Sequence, residues 1–375
     1  MSIFMSASEV SGDHYIAALA RTLKEEGYTG DIWGMGGTGA KKSGIRIEWD
    51  GEVLQLMGFT EVLHAIPFIL KLRSDMVNRI IELNPDVVVV ADSPDYHLRL
   101  ISKLRKRGYK GKIFYISPPT VWAWRSGRVK DLRKYVDACL PLYEFEHDYL
   151  LSKGCSSYWS GAPLLEELSG SNYSKEDIPA KFIEDDKLIA ILPGSRSSEI
   201  DNLMPIMGNV ADKLKARGWH PVFSIAPGLN PRVRDGMIAR LKNEKRDYYE
   251  GSGRHLMATA KCTIGASGTT TVESLILNCY MIVTYKVNAF SAFIVSMIAK
   301  TKYFAMTNIL AGYELFPELL QKEATAENIL EHALEWLDGE EDMKKIIFSN
   351  MHETRMKLGN TGVYKSWANR ILKAI

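Results

Sequence analysis

Two kinds of chemistry are written into short stretches of this chain: anion binding by backbone amides and proton transfer by carboxylates. Residues 262–275, CTIGASGTTTVESL, pass from an apolar run through a small-residue turn into a helical pattern. A helix start leaves donors unpaired and its dipole favours negative charge, so the amides of Ser267, Gly268 and Thr269 suit a phosphate. Glu273, in the first turns of that helix, can accept from ribose hydroxyls. An ordinary N-cap accounts for the same Ser and Thr residues without any ligand. A second turn, Pro193-Gly194-Ser195-Arg196, offers a guanidinium that can clamp a diphosphate in bidentate fashion.

The carboxylates lie earlier. Asp92-Ser93-Pro94-Asp95 follows the valine-rich run 86–91, and two acids at a strand end suit a general base or a metal. Base chemistry is favoured, because Pro94 stiffens the turn and no ligand set is complete. Near the start, Ser11, Gly12 and Asp13 can cap a helix or hold a sugar, while Glu9 precedes the cap and is exposed. The loop 117–125, SPPTVWAWR, carries Trp122 and Trp124, which either stack on a sugar ring or acyl chain or pack beneath the loop.

These residues need strands to deliver them. Apolar runs at 1–6, 31–33, 86–91, 112–116 and 138–140 alternate with helical patterns, and the rhythm restarts at 188–192, 221–225, 262–266 and 281–285. Ligands in open α/β sheets bind at the carboxyl ends of the strands, where every stretch above falls. Gly34 to Gly39 matches G-x-G-x-x-G, but it follows the second strand, and Asp50 and Glu52 come too early for the ribose acid of a dinucleotide site. At 375 residues the chain exceeds the size of a single core, so two domains are expected. They are a Rossmann-like domain over 1–165, a polar linker over 166–187 and a second Rossmann-like domain over 188–345. Helices over 346–375 are expected to pack back on the first half.

Lys plus Arg at 47 against Asp plus Glu at 45 leaves a net charge of +2, which gives no nucleic-acid footprint. The four cysteines, Cys139, Cys155, Cys262 and Cys279, form no C-x-x-C pair and read as buried thiols of a reducing compartment. The N-terminal residues lack the pattern of a signal peptide, and the longest uncharged apolar stretch, 287–299, is too short for the ~20 residues of a membrane span. Two apolar helical segments with basic ends, near Phe68 (with Lys71, Arg73 and Arg79) and near Phe293, either lie in a membrane interface or face the core with a solvated edge.

In order along the chain, Ser8-Glu9-Val10-Ser11-Gly12-Asp13, Asp92-Ser93-Pro94-Asp95, the stretch 117–125, Leu192-Pro193-Gly194-Ser195-Arg196, Ala266-Ser267-Gly268-Thr269, Thr307-Asn308-Ile309-Leu310-Ala311-Gly312 and Pro317-Glu318-Leu319-Leu320-Gln321 resemble the lipid-A-disaccharide synthase family. The resemblance runs from about residue 2 to 321. It departs at Ser8, where the family usually has Gly, at Ala162, where it has His, and at Tyr280, where it has Pro. The resemblance implies two doubly wound Rossmann-like domains facing across a cleft, the GT-B architecture, and an inverting transfer from UDP-2,3-diacylglucosamine to 2,3-diacylglucosamine 1-phosphate. On this pattern Asp92 is the base and Asn308 orients substrate. Arg196 with Ser267, Gly268 and Thr269 holds the diphosphate, and Glu273 the ribose; Glu9, Ser11, Asp13, Trp124 and Arg125 are further substrate contacts. The resemblance implies no metal and no other cofactor, and a cytoplasmic protein peripheral to the inner face of the inner membrane; it leaves a homodimer open. The rival readings are another UDP-sugar enzyme of the same architecture and a non-catalytic sugar-nucleotide or lipid-binding protein.

Overall fold

The computed structural model describes residues 1–51, 59–169, 178–286 and 301–375, without the side chains of 59–65. The chain divides into two compact units, one formed by 1–166 with 358–375 and the other by 167–357.

In the first unit the chain runs β1 (Ser2–Ala7), α1 (Val10–Glu25), β2 (Asp31–Gly36), α2 (Thr38–Lys42), β3 (Arg46–Asp50), α3 (Phe59–Leu83), β4 (Val87–Ala91), α4 (Pro94–Lys106), β5 (Lys112–Ile116), α5 (Val129–Tyr135), β6 (Ala138–Leu140) and α6 (Glu144–Ser152). All strand pairs are parallel, in the order β3-β2-β1-β4-β5-β6. Because a strand alternates its side chains, Ile3, Met5, Val87 and Val89 enter one core layer while Phe4, Val88 and Val90 enter the other. Burial on both faces explains why these strands read as unbroken apolar runs.

α7 (Pro163–Leu168), α8 (Ala180–Ile183), β7 (Leu188–Leu192), α9 (Ser197–Lys215), β8 (His220–Ile225), α10 (Pro231–Asn243), β9 (Asp247–Glu250), α11 (Gly253–Met257), β10 (Cys262–Ala266), α12 (Thr269–Ile276), β11 (Met281–Tyr285), α13 (Met306–Ala311), β12 (Glu318–Leu320), α14 (Ala326–Leu337) and α15 (Glu341–Met356) follow. The second sheet has the order β12-β11-β10-β7-β8-β9, again all parallel. Counted from its own first strand β7 and read from the β9 edge, this is the same 3-2-1-4-5-6 order as the first sheet. Both units are therefore doubly wound α/β sheets, the class expected from the sequence.

Three details differ from that expectation. Residues 178–187, read as the end of a linker, carry Ile178 and Phe182 into the second unit's core beside Leu188 and Leu256. Of the terminal helices, α15 lies in the second unit, and only α16 (Val363–Leu372) belongs to the first. There its Trp367 and Ile371 are fully buried with Ile16, Leu19 and Leu23 of α1, each large side chain contributing about 1.5–3 kcal/mol. Glu166 Oε2 caps this helix, accepting from the amides of Gly362 at 3.1 Å and Val363 at 2.6 Å. Finally, α1 begins at Val10 with Glu9 at the N-cap position, so Ser11, Gly12 and Asp13 form its first turn and do not precede it as a cap.

The residues that depart from the family pattern are packed. The Ser8 hydroxyl meets that of Ser93 at 2.5 Å. Ala162 is buried, and its amide donates to the Leu358 carbonyl at 2.8 Å. Tyr280 stacks on Trp336 with ring centroids 4.1 Å apart. The four cysteines are free and buried.

Candidate active site

In each sheet the chain leaves one central strand to build outward on one side and returns to start the other side beside it, and loops that diverge from such a point leave a crevice for ligand. In the first unit these strands are β1 and β4, which deliver residues 8–13 and 92–95. In the second they are β7 and β10, which deliver 193–196 and 267–269. The selected residues at 8–13, 92–95, 193–196 and 267–269 thus fall at the two switch points, one in each unit.

Asp92 is the centre of the first cluster. Its φ of +54° and the +44° of Ser93 place two consecutive side-chain-bearing residues in the left-handed region, at a cost of about 1–3 kcal/mol each. Ser11, in the first turn of α1, donates its hydroxyl to Asp92 Oδ2 at 2.7 Å. Gly12 lets the helix come this close, because a Cβ there would lie 3.2 Å from the same oxygen. Burial raises the Asp92 pKa above the usual carboxylate value; the Ser117 and Ser11 hydroxyls pull it down, and nearby Glu9 pushes it up. Glu9 is exposed, with its Oε1 3.5 Å from the Ser93 hydroxyl.

Asp13 does something else. Its buried carboxylate accepts from the amides of Gly37 at 2.6 Å, Gly39 at 2.9 Å and Ala40 at 3.2 Å. It thereby holds the start of α2 and the glycine-rich turn before it. The expectation that Asp13 touches substrate is corrected: its oxygens are spent inside the unit.

Trp124 is 38% exposed, and the guanidinium carbon of Arg125 lies 4.3 Å from the centre of its ring. Arg125 pairs with Asp95 at 3.0 Å, and Arg128 pairs with the same carboxylate. Asp95 therefore ties the 117–128 loop to α4. The partner tryptophan faces inward: Trp122 donates its indole N–H to Glu146 Oε1 at 2.9 Å and packs edge-on against Phe145. Glu146 is buried on α6, also accepts from the amide of Leu142, and its pKa is pushed by that burial up to about 7.

In the second unit Gly194 has φ +112°, and a Cβ there would come 2.5 Å from Glu199 Oε2. The buried Glu199 carboxylate accepts from the Ser195 and Arg196 amides at 3.2 and 3.3 Å and from Arg196 Nη1 at 2.9 Å. The start of α9 is thus filled by its own acid, while the Arg196 side chain stays 73% exposed. At the other turn the Ser267 amide donates to the Thr284 carbonyl at 3.0 Å, extending the sheet. That corrects the expectation for its N–H. The amides of Gly268 and Thr269 have no partner among the described residues. Glu273 receives Arg254 Nε at 2.9 Å and Nη2 at 2.8 Å, both on Oε1.

Asn308 is fully buried and saturated. Its Nδ2 donates to the Phe316 carbonyl and to Glu318 Oε1, both at 2.8 Å, and its Oδ1 accepts from the Leu315 and Phe316 amides at 2.9 Å. An amide has two donors and two acceptor sites, so none is left for substrate. The expectation that Asn308 orients substrate is corrected: it fixes the backbone at 315–318.

His97, Tyr115, Glu146, Glu199 and Arg254 join these clusters as partners of the expected residues. Arg254 and Glu199 carried a signal, as charged residues just past strand ends; the other three are buried partners of loop residues, with no periodic mark of their own. Among the described residues no group of three or more His, Cys, Asp or Glu is placed to hold a metal, and no helix is long and apolar enough to cross a membrane.

Solved structures repeat the paired sheets. A Neisseria meningitidis UDP-GlcNAc 2-epimerase bound to UDP-GlcNAc aligns with a TM-score of 0.60 at 14% identity, covering 100% of both chains. A Rickettsia africae glycosyltransferase aligns at 0.56 and 13%, covering 100% of this chain and 98% of that one. At such identity the likeness defines the architecture, and the class is GT-B. The sequence goes further, because the family model for lipid-A-disaccharide synthetase matches residues 3–373. The lipid-A-disaccharide synthase of Alcanivorax borkumensis is 34% identical over 94% of this chain and 92% of its own length. That of Myxococcus xanthus is 30% identical over 100% and 97%. The chain belongs to the lipid-A-disaccharide synthase family, and it is a glycosyltransferase of lipid A biosynthesis, as the motif series implied.

Proposed function

We propose that the protein condenses UDP-2,3-diacylglucosamine with 2,3-diacylglucosamine 1-phosphate, giving the disaccharide 1-phosphate and UDP. The observation that carries this reading is Asp92, a carboxylate at a switch point with a raised pKa and two serine hydroxyls on it. A base with raised pKa takes the acceptor hydroxyl proton more readily as that oxygen attacks the anomeric carbon. The bond to UDP breaks on the opposite side, and charge grows on the departing diphosphate. Arg196 and the Gly268 and Thr269 amides meet that charge, doing the work a metal does elsewhere. Glu273 accepts from the ribose through Oε2, since Arg254 occupies Oε1.

Both substrates carry acyl chains, so the enzyme works at a membrane surface, on the cytoplasmic face of the inner membrane. Ile66, Phe68 and Leu70 on α3 are all exposed, beside exposed Lys71, and supply an apolar contact with a cation at its edge. Arg73 is buried and Arg79 pairs with Glu48 and Glu82, so neither belongs to that edge. The other expected segment, around Phe293, lies outside the described residues.

The test is UDP release from UDP-2,3-diacylglucosamine by purified protein in detergent and chelator, with and without the monosaccharide 1-phosphate. Acceptor-dependent release in chelator supports the transfer and its independence of metal. UDP binding without release overturns it in favour of a binding protein.

A further inference from the structure

We infer that His97 and Tyr115 are positioning residues for the base: together they hold the Asp92 peptide and thereby aim its carboxylate. The inference rests on the reading of Asp92 as base and adds what fixes it in place.

The Asp92 carbonyl receives two hydrogen bonds, from His97 Nδ1 at 2.8 Å and from the Tyr115 hydroxyl at 2.8 Å. A carbonyl only accepts, so the imidazole proton sits on Nδ1. Nε2 is then an acceptor, and the Ser6 hydroxyl lies 2.9 Å from it. A directed chain results: Ser6 O–H to His97 Nε2, then His97 Nδ1–H to the Asp92 carbonyl, met from the other side by Tyr115 O–H.

His97 and Tyr115 are both fully buried, and burial holds the imidazole neutral with a pKa of about 4. Burial also pushes the Tyr115 hydroxyl well up, so it stays a donor. Neither changes protonation state in the range where an enzyme of this kind works.

What they oppose is the left-handed backbone at Asp92 and Ser93. The Asp92 amide still joins the sheet, donating to the Ile116 carbonyl at 3.2 Å, but its carbonyl turns away to the two donors. They come from different elements, His97 from α4 and Tyr115 from β5. The His97 amide also donates to the Ser93 carbonyl at 2.9 Å, closing a ring from the turn through the helix and back. With the peptide held from two directions, only the Asp92 side-chain torsions remain, and Ser11 and Ser117 fix those. Position matters here because a misplacement of about 1 Å at a reacting group costs on the order of a hundredfold in rate.

The experiment compares kcat, donor KM, UDP affinity, melting temperature and the pH–rate profile for wild type, Asp92→Asn, His97→Leu, His97→Asn and Tyr115→Phe. We expect Asp92→Asn to be inactive. Tyr115→Phe lowers kcat about tenfold and His97→Leu about 10–100-fold, with donor KM and UDP affinity unchanged. The ascending limb of the profile moves to lower pH in both, as the Asp92 carboxylate gains water. His97→Asn, whose side-chain N–H can take the place of Nδ1–H, recovers most of the rate. Tyr115→Phe removes one oxygen and keeps the ring in the core, so it decides the matter if His97→Leu fails to fold. Wild-type kcat and pH limb in Tyr115→Phe, with Asp92→Asn inactive, overturns the positioning role and leaves the base. Full turnover by Asp92→Asn removes the base itself, and this inference with it.

Discussion

Replacing Glu146 by glutamine should erase a pH dependence of stability whose size follows from its surroundings. The wild-type carboxyl is buried, and its pKa rises from 4.5 to about 7 on folding. A group with a raised folded pKa binds its proton more tightly in the native state, so its stabilising term is whole below 4.5 and is lost as pH climbs through about 7. The interval of two to three units corresponds to about 3–4 kcal/mol, of which about 2–3 kcal/mol falls between pH 5 and 8. A glutamine side chain at this position keeps an acceptor for the Trp122 indole but turns an N–H toward the Leu142 amide. That cost is the same at both pH values and cancels when stabilities are compared across pH. Urea unfolding of both proteins at pH 5 and pH 8, followed by tryptophan fluorescence, measures the double difference. Wild type should lose about 2–3 kcal/mol relative to Glu146→Gln on going to pH 8. Equal separation of the two proteins at both pH values would refute the argument that burial, and not some other group, controls this carboxyl.

Asn308→Ala leaves the Leu315 and Phe316 amides and the Phe316 carbonyl unpaired in the core, and should cost about 3–5 kcal/mol by urea unfolding. Lost turnover with stability intact would instead place Asn308 on substrate. Gly194→Ala drives a Cβ into Glu199 and releases its grip on Arg196; calorimetric UDP affinity should fall about tenfold, and an unchanged value would show that Arg196 acts without that support.

The sheets were legible because a parallel strand covered on both faces must be apolar throughout, and 87–91 or 188–192 permits nothing else. β3, with Arg46, Glu48 and Asp50 alternating through it, lies at a sheet edge and carries no such mark. Asp92 and Arg196 could be picked out for the same local reason, since a polar residue soon after a buried strand lands at the carboxyl edge. The direction of a side chain is not local. Asp13 turns inward because amides 24 to 27 residues later need an acceptor, and Asn308 because the 315–318 backbone folds round it. His97 was hidden for the same reason: its partners are a strand residue 91 positions earlier and a carbonyl, which has no residue-type signature.

The terminal helix α16 makes the first unit discontinuous, and this bears on how the protein comes off the ribosome. Residues 1–166 emerge first, yet the face of α1 bearing Leu19 and Leu23 stays uncovered until Trp367 and Ile371 have been made. At about 5–20 residues per second, the intervening stretch of chain takes roughly 10–40 s to translate. The second unit, wholly encoded between the two pieces, can close before then. The part of the chain that is synthesised first is finished last, and its apolar face is open to chaperones in the meantime. A ribosome that stops before residue 363 releases a chain whose second unit has all of its residues and whose first unit lacks its cover.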